Sequence, residues 1–581
     1  MKPLSRTWFR IFAGPATLLW LASALSAQTD RSRIDDARLR QAPSEEWLSY
    51  GRDRAETHFS PLKQIDSTNV KRLGVAFVSD TNGPAGNIEA TPIMANGAMY
   101  TSLAWGVLAA ADARTGKLKW KWDPDIPRTG DGRPSMCCGA VNRGMAIYNG
   151  KVYASLINGR VVALDAETGK LVWSAQSTDP SSDLTITGPV RVVKGKVIVG
   201  TAGAEYAMRG YFSAYDAETG KMAWRFYTVP GDPSKPFENP ELKEAAKTWT
   251  GEWWKYGGGG TVWDGMAYDP DADLLYVGTG NGGPWNPKFR SPGGGDNLYL
   301  CSILAVKPDT GRLVWHYQTT PAEAWDFTST QNMILAELTI RGRQRKVIMQ
   351  APKNGFFYVL DRLTGELLSA EPYTTVTWAT GVDLKTGRPI EAPGVRYTEG
   401  SVVISPGSAG GHNWQPMAFS PVTGLVYIPG SINSRVYHST PDFVPQKGKQ
   451  VTGVEMNSFA EGIAPAGAKI TNLGYFLKAW NPVTQTAAWS IPFTGNFTGG
   501  VLATAGNLVF AAGDGRLSAF SADKGEKVWE IAIAPGVATP VTYSLDGKQY
   551  VAVVAGRGSA DAPTRIYAFA LDGTGKLPNM H

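Results

Sequence analysis

An eleven-residue motif recurs along the chain and restricts its folding more than any other feature. It reads "AADARTGKLKW" from Ala110, "ALDAETGKLVW" from Ala163, "AYDAETGKMAW" from Ala214 and "AVKPDTGRLVW" from Ala305. Two later copies are "AWNPVTQTAAW" from Ala479 and "AFSADKGEKVW" from Ala519, and weaker ones occupy 359–368 ("VLDRLTGELL") and 381–390 ("GVDLKTGRPI"). The first two intervals are 53 and 51 residues. Each copy reads as a hairpin: an alternating strand, an Asp/Thr/Gly turn, then a short strand ending on Trp. Another strand pair precedes most copies, as in "AIYNGKVYASLINGRVVALD" (146–165), which gives about four strands per unit. A period near 50 built from four strands is one propeller blade.

Length alone suggests several domains, but the repeat argues for one. The expectation is an all-β fold: a single β-propeller of eight blades with tryptophan-docking repeats over residues 28–581. Trp120, Trp173, Trp224, Trp315, Trp489 and Trp529 recur at one place in the repeat and should pack between adjacent blades. "RIYAFALD" (565–572) against "RLGVAFVSD" (72–80) should close the ring, and "NPELKEAAKTW" (239–249) is the best helix candidate.

Lys2, Arg6 and Arg10 precede the apolar run "IFAGPATLLWLASALSA", which ends in small residues. This pattern predicts a signal peptide over residues 1–27, cleaved near Ala24 or Ala27, and export by general secretion. The run is short for a membrane span and holds Gly14 and Pro15. The formal charge of +6 falls to +3 without those three cations, and no basic run remains, so nucleic-acid binding has no footprint.

Only three cysteines occur, two of them adjacent in "PSMCCGAVNRG": Cys137, Cys138 and the distant Cys301. A bridge between neighbours closes no loop and cannot staple a fold. Consecutive Cα atoms lie about 3.8 Å apart, below the usual span for bridged cysteines. Two readings therefore stand: a strained ring at a working site, or two adjacent thiols. An oxidising compartment permits the first. Cys301, in "NLYLCSILAV", reads as a buried core thiol.

Glu205 in "TAGAEYAMRG", Asn281 in "GTGNGG" and Asp326 in "EAWDFTST" interrupt apolar strand–turn sequence. All three offer hard oxygen donors, which suit Ca²⁺; five histidines and no CxxC argue against zinc. Gly257–Gly260 is no phosphate loop, since no Lys-Ser/Thr follows, and suggests close backbone approach to a flat ligand. No CxxCH occurs, so no fused haem domain is expected.

Taken together, "CCGAVNRG", "TAGAE", "GGGTVWD", "GTGNGGPWN", "AWDF", "APKNGFFYVLDR" and "GGHNWQPMAF" resemble the pyrroloquinoline quinone (PQQ)-dependent alcohol dehydrogenases, eight-bladed periplasmic quinoproteins. The likeness runs from about Trp47 to the C-terminal strand. It implies that Cys137 and Cys138 form a vicinal disulfide on one face of PQQ, with Trp263 on the other. It assigns Glu89, Arg143, Thr187, Thr261, Lys353 and Asn413 to the cofactor's edge. Ala202, Gly203, Ala204, Trp414 and Phe497 match further wall positions. Glu205, Asn281 and Asp326 match the family's metal ligands. Asp326 is the implied base that takes the alcohol's proton as hydride moves to PQQ C5, and Lys353 the cation beside the developing oxyanion.

Two departures from the family pattern stand out, Ala202 and Phe497. Ala202 replaces a frequent hydroxyl, and Phe497 stands where many members carry Trp. Thr328 occupies the position of a second Asp in the lanthanide-dependent branch, and one carboxylate fewer favours Ca²⁺. The resemblance implies oxidation of a primary or secondary alcohol to an aldehyde or ketone, with electrons leaving to a separate soluble cytochrome c. Sugars or polyols, and bulky secondary alcohols such as trichothecenes, are alternative substrate classes. A non-enzymatic propeller scaffold would need neither the cysteine pair nor "AWDF".

Overall fold

The computed structural model describes residues 33–578 apart from 131, 442, 447 and 456–462. The segment expected to be a signal peptide, 1–27, lies outside the described residues. Eight four-stranded antiparallel sheets follow one another along the chain. They span 93–122, 146–176, 191–227, 266–318, 334–372, 418–493 and 497–532, with the last built from 541–571 and the early strand Leu73–Asp80. That strand pairs antiparallel with Arg565–Leu571, from Leu73 opposite Leu571 to Asp80 opposite Arg565. The ring is thus closed by the two segments the sequence nominates. Phe59–Ser60 adds a short parallel edge to Phe497–Thr504 inside the seventh blade.

The repeat works as a docking device. In the second blade Asp165 Oδ1 accepts from the Thr168 backbone N–H at 2.8 Å and from its hydroxyl at 2.7 Å, which fixes the turn. The outer-strand tryptophan of one blade then lies over that turn in the next. Trp120 Nε1 donates to the Ala166 carbonyl at 2.9 Å, and a Cβ on Gly169 would stand 2.6 Å from the indole. Trp173, Trp224, Trp315 and Trp489 repeat the contact on Ala217, Pro308, Arg362 and Ala522, and Trp529 completes the circle on Leu73. Each indole therefore buries apolar area and satisfies its one donor. Trp120→Ala should lower stability by about 3 kcal/mol, read by denaturant unfolding; a loss under about 0.5 kcal/mol, the range of an ordinary surface change, would refute the docking role.

Two readings of the sequence change. The weak copy at 381–390 forms a separate two-stranded hairpin, Ala379–Asp383 with Arg388–Glu391, and not a blade. Its two strands pair only with each other, with no inner strand pair to extend them to four. The Gly257–Gly260 run does permit close approach, but by other backbone. All four residues have positive φ, and Gly258–Gly259 pair with Gly282–Gly283. A Cβ on Gly257 would meet Met208 carbon at 2.4 Å, and one on Gly259 the Asn281 carbonyl at 2.4 Å. The helix expected within 239–249 forms as Leu242–Ala246. No helix among the described residues is long and apolar enough to cross a membrane.

Candidate active site

Antiparallel blades put the chain's entry into the innermost strand and its exit from the second strand on the same face of the ring. The candidate residues fall at these two places. Glu89, Cys137, Cys138, Arg143, Thr187, Thr261, Trp263, Asp326, Asn413 and Trp414 precede innermost strands. Ala202–Glu205, Asn281 and Lys353 follow second strands. The loops of one face thus collect residues far apart in sequence around the axis.

Arg143 anchors one half of the site. It is 5% exposed, its Nε lies 3.0 Å from Glu89 Oε2, and Nη1 donates to Thr187 Oγ1 at 2.9 Å. Its guanidinium sits 5.2 Å from the Trp263 ring centre and 5.6 Å from that of Trp414, within cation–π range. Burial pushes the Glu89 carboxyl up, against the opposing pull of Arg143. Thr261 is buried beside Trp263 in sequence. Cys137 and Cys138 are disulfide-bonded, as the resemblance implied; both are exposed, and Cys301 is a buried free thiol. A buried arginine with hydroxyls at its edge and half-buried indoles beside it suits a flat, carboxylate-bearing ligand.

The other half is acidic. Asn281, 1% exposed, donates from Nδ2 to Glu205 Oε1 at 3.3 Å. Gly203, with φ 105°, turns the chain so that Ala204–Tyr206 forms a short 3-10 turn carrying Glu205. Ala202 exchanges backbone hydrogen bonds with Thr185 at 3.1 and 2.8 Å. Lys353 Nζ donates to Asp326 Oδ2 at 3.0 Å and to the Asp326 carbonyl at 3.2 Å. Burial raises the Asp326 carboxyl to about 7; Lys353 opposes the rise, and the Glu205 charge adds to it. Two carboxylates that repel one another beside an amide oxygen form a hard-donor set that a divalent cation would relieve. Among the described residues no group of three His, Cys, Asp or Glu is placed to hold a metal, so the set depends on Asn281.

Two candidates stand differently from the others. Both amide atoms of Asn413 are engaged in its own loop, donating to the Ala409 carbonyl and accepting from the Trp414 N–H, each at 2.9 Å. Phe497, at the start of the seventh blade, is buried with its ring stacked on Phe493 at 3.9 Å and edge-on to Tyr475 at 6.2 Å, both from the sixth blade. It shares the lining of one cavity with Asn413. The sequence reading missed Glu323 and Arg290, both fully buried behind the acidic half. The only signal for Glu323 was an acid three residues before Asp326 in an apolar stretch.

A family model described as the β-propeller domain of PQQ-dependent glucose, ethanol and alcohol dehydrogenases matches residues 47–371 and 471–551. The chain belongs to the PQQ-dependent alcohol dehydrogenase family. Within it, the quinohemoprotein alcohol dehydrogenase ADH IIB of Pseudomonas putida is 53% identical over 581 residues, covering 97% of this chain and 82% of that protein. A 1-butanol dehydrogenase (cytochrome c) of Thauera butanivorans is 41% identical over 92% of this chain and 79% of its own length. The solved structure of quinohemoprotein alcohol dehydrogenase ADHIIG from Pseudomonas putida HK5 superposes with a TM-score of 0.89 at 48% identity, covering 94% of this chain and 84% of that one. This chain is an oxidoreductase of the quinoprotein class, with PQQ as its cofactor.

Proposed function

We propose that the protein oxidises a primary or secondary alcohol to the aldehyde or ketone in the periplasm, using PQQ with Ca²⁺. The observation that carries this reading is the largely buried Asp326–Lys353 pair, 3.0 Å apart, on the same face as Glu205 and Asn281. Arg143, Thr187 and Glu89 would hold the cofactor's edge, with Trp263 and the Cys137–Cys138 disulfide against its faces. Glu205, Asn281 and Asp326 would hold the metal. When bound, PQQ and Ca²⁺ supply a hydride-accepting carbonyl carbon, C5, and the Lewis acid that polarises it. Asp326 takes the proton of the substrate hydroxyl. Lys353 keeps that carboxylate oriented and presents a cation to negative charge that develops beside it. Electrons would leave to a separate soluble cytochrome c, the kind of acceptor printed in the name of the Thauera butanivorans relative.

Calcium is favoured by Thr328, which is buried with its hydroxyl exchanging hydrogen bonds with the Gln331 amide at 3.2 and 3.0 Å. It adds no charge to the donor set. Cofactor-free protein should regain alcohol-dependent dye reduction only when PQQ and a divalent metal are supplied together. Ca²⁺ should outperform La³⁺, and Thr328→Asp should narrow or reverse that order. Full activity with NAD⁺ alone would overturn the cofactor assignment, and equal activation of the unaltered protein by La³⁺ would overturn the metal assignment.

A further inference from the structure

Asn281 and Asp326 lie 45 residues apart in sequence, on loops of the fourth blade and the fourth-to-fifth junction. One side chain ties these loops together. Glu323 Oε2 accepts the Gly282 N–H at 2.9 Å, immediately after Asn281. Its Oε1 accepts the Trp325 N–H at 2.5 Å and the Phe327 N–H at 2.9 Å, on either side of Asp326. A single carboxylate therefore grips the backbone next to both proposed metal ligands. It grips one of them in an uncommon conformation: Asp326 has φ 64°, in the left-handed region, where a non-glycine residue persists only if its surroundings impose it.

The clamp is itself braced. Arg290 is fully buried and donates to the Glu323 carbonyl at 2.5 Å, the Trp285 carbonyl at 3.0 Å, the Asn297 side chain at 3.2 Å and the Pro284 carbonyl. It packs directly on Gly282, where a Cβ would stand 2.0 Å from Arg290 Nη1. The glycine lets the guanidinium lie flat under the Asn281 loop while the same guanidinium holds the backbone of Glu323. Neither residue is placed to touch substrate or cofactor; both act on the loops that do.

We propose that Glu323, braced by Arg290, is the positioning residue that sets the separation of Asn281 and Asp326 and so the affinity of the metal site. This rests on the reading that these two residues hold the metal. Outer partners of metal ligands typically carry about 10–100-fold in metal affinity. Glu323→Gln keeps the shape but turns an NH₂ donor toward backbone donors. Glu323→Asp keeps the charge but is one methylene too short to span from the 325–327 turn to Gly282. If charge alone mattered, the aspartate variant would match the parent; if span matters, both variants lose.

The test is a Ca²⁺ titration of PQQ-loaded protein followed by tryptophan fluorescence, beside a thermal melt of the metal-free protein. The half-saturating Ca²⁺ concentration should rise by about 10–100-fold in both variants, with metal-free melting temperatures close to the parent's. A parent that does not respond to Ca²⁺ overturns the metal reading itself, and the clamp with it. A parent that responds, with both variants titrating as it does, overturns only the clamp. Restoration of parental half-saturation in the aspartate variant alone overturns the span argument. Failure of both variants to fold makes Glu323 a folding residue and likewise overturns the proposal.

Discussion

Asp326→Asn should lower alcohol turnover by about two to four orders of magnitude, the usual contribution of a positioned general base, while PQQ binding changes little. Asparagine keeps the side chain's shape and an oxygen for the metal but cannot take a proton. The carboxylate it replaces is poised to accept one. Burial lifts it to about 7, with Lys353 pulling it down and Glu205 pushing it up. A bound divalent cation adds to the pull of Lys353 and favours the ionised form. Arg143, Thr187, Trp263 and the cysteine pair lie on other loops and are untouched. Turnover with a dye acceptor, beside a PQQ titration by tryptophan quenching, separates the two effects. An Asn variant that binds PQQ and Ca²⁺ as the parent does and retains nearly the parental rate would show that Asp326 is not the base, and Glu205 would be the next carboxylate to test. Asp326→Ala should weaken metal binding as well, because it also removes a ligand.

The propeller was legible in the sequence because its chemistry is periodic. An Asp/Thr/Gly turn and a docking Trp are local signals, repeated once per blade, and each does the same physical work in every copy. Ring closure could be read because a propeller must pair strands from its two ends, and Leu73–Asp80 and Arg565–Leu571 are alternating strands there. The hairpin at 381–390 kept the turn signature but has no inner strand pair, which is why it resembled a blade and is not one. Candidate site residues were legible where a polar group broke an apolar context, as with Asp326, Asn281 and Glu205, whereas Arg143 was reached only through the family resemblance. Glu323 and Arg290 were not, since what distinguishes them is the backbone they hold. Partners separated by tens of residues, such as Glu323 with Gly282, leave no spacing to read. Gly257–Gly260 pointed correctly to close approach, but sequence could not say that the approaching body is the chain itself.

Lys353→Met should cost about 10²–10³-fold in turnover, the usual penalty for removing one preorganised donor from a site where charge develops, and should also move the pH profile. Methionine keeps most of the aliphatic stem, so the packing around the buried stem changes little. The ammonium at 3.0 Å from Asp326 Oδ2 is lost. Lys353 lowers the Asp326 carboxyl against burial and against the Glu205 charge. Removing it therefore raises that carboxyl further, so the base becomes ionised only at higher pH. The rising limb of kcat/KM against pH should move toward alkali. Two losses are then separable by measurement. Raising the pH should restore the part of the rate lost through protonation of Asp326, but not the part lost because no cation faces the developing charge. A residual deficit at high pH measures that second role directly. A rising limb that stays where it is, with turnover reduced less than about tenfold, would leave Lys353 a structural partner of the Asp326 loop; Asp326 would then owe its ionisation to the metal alone.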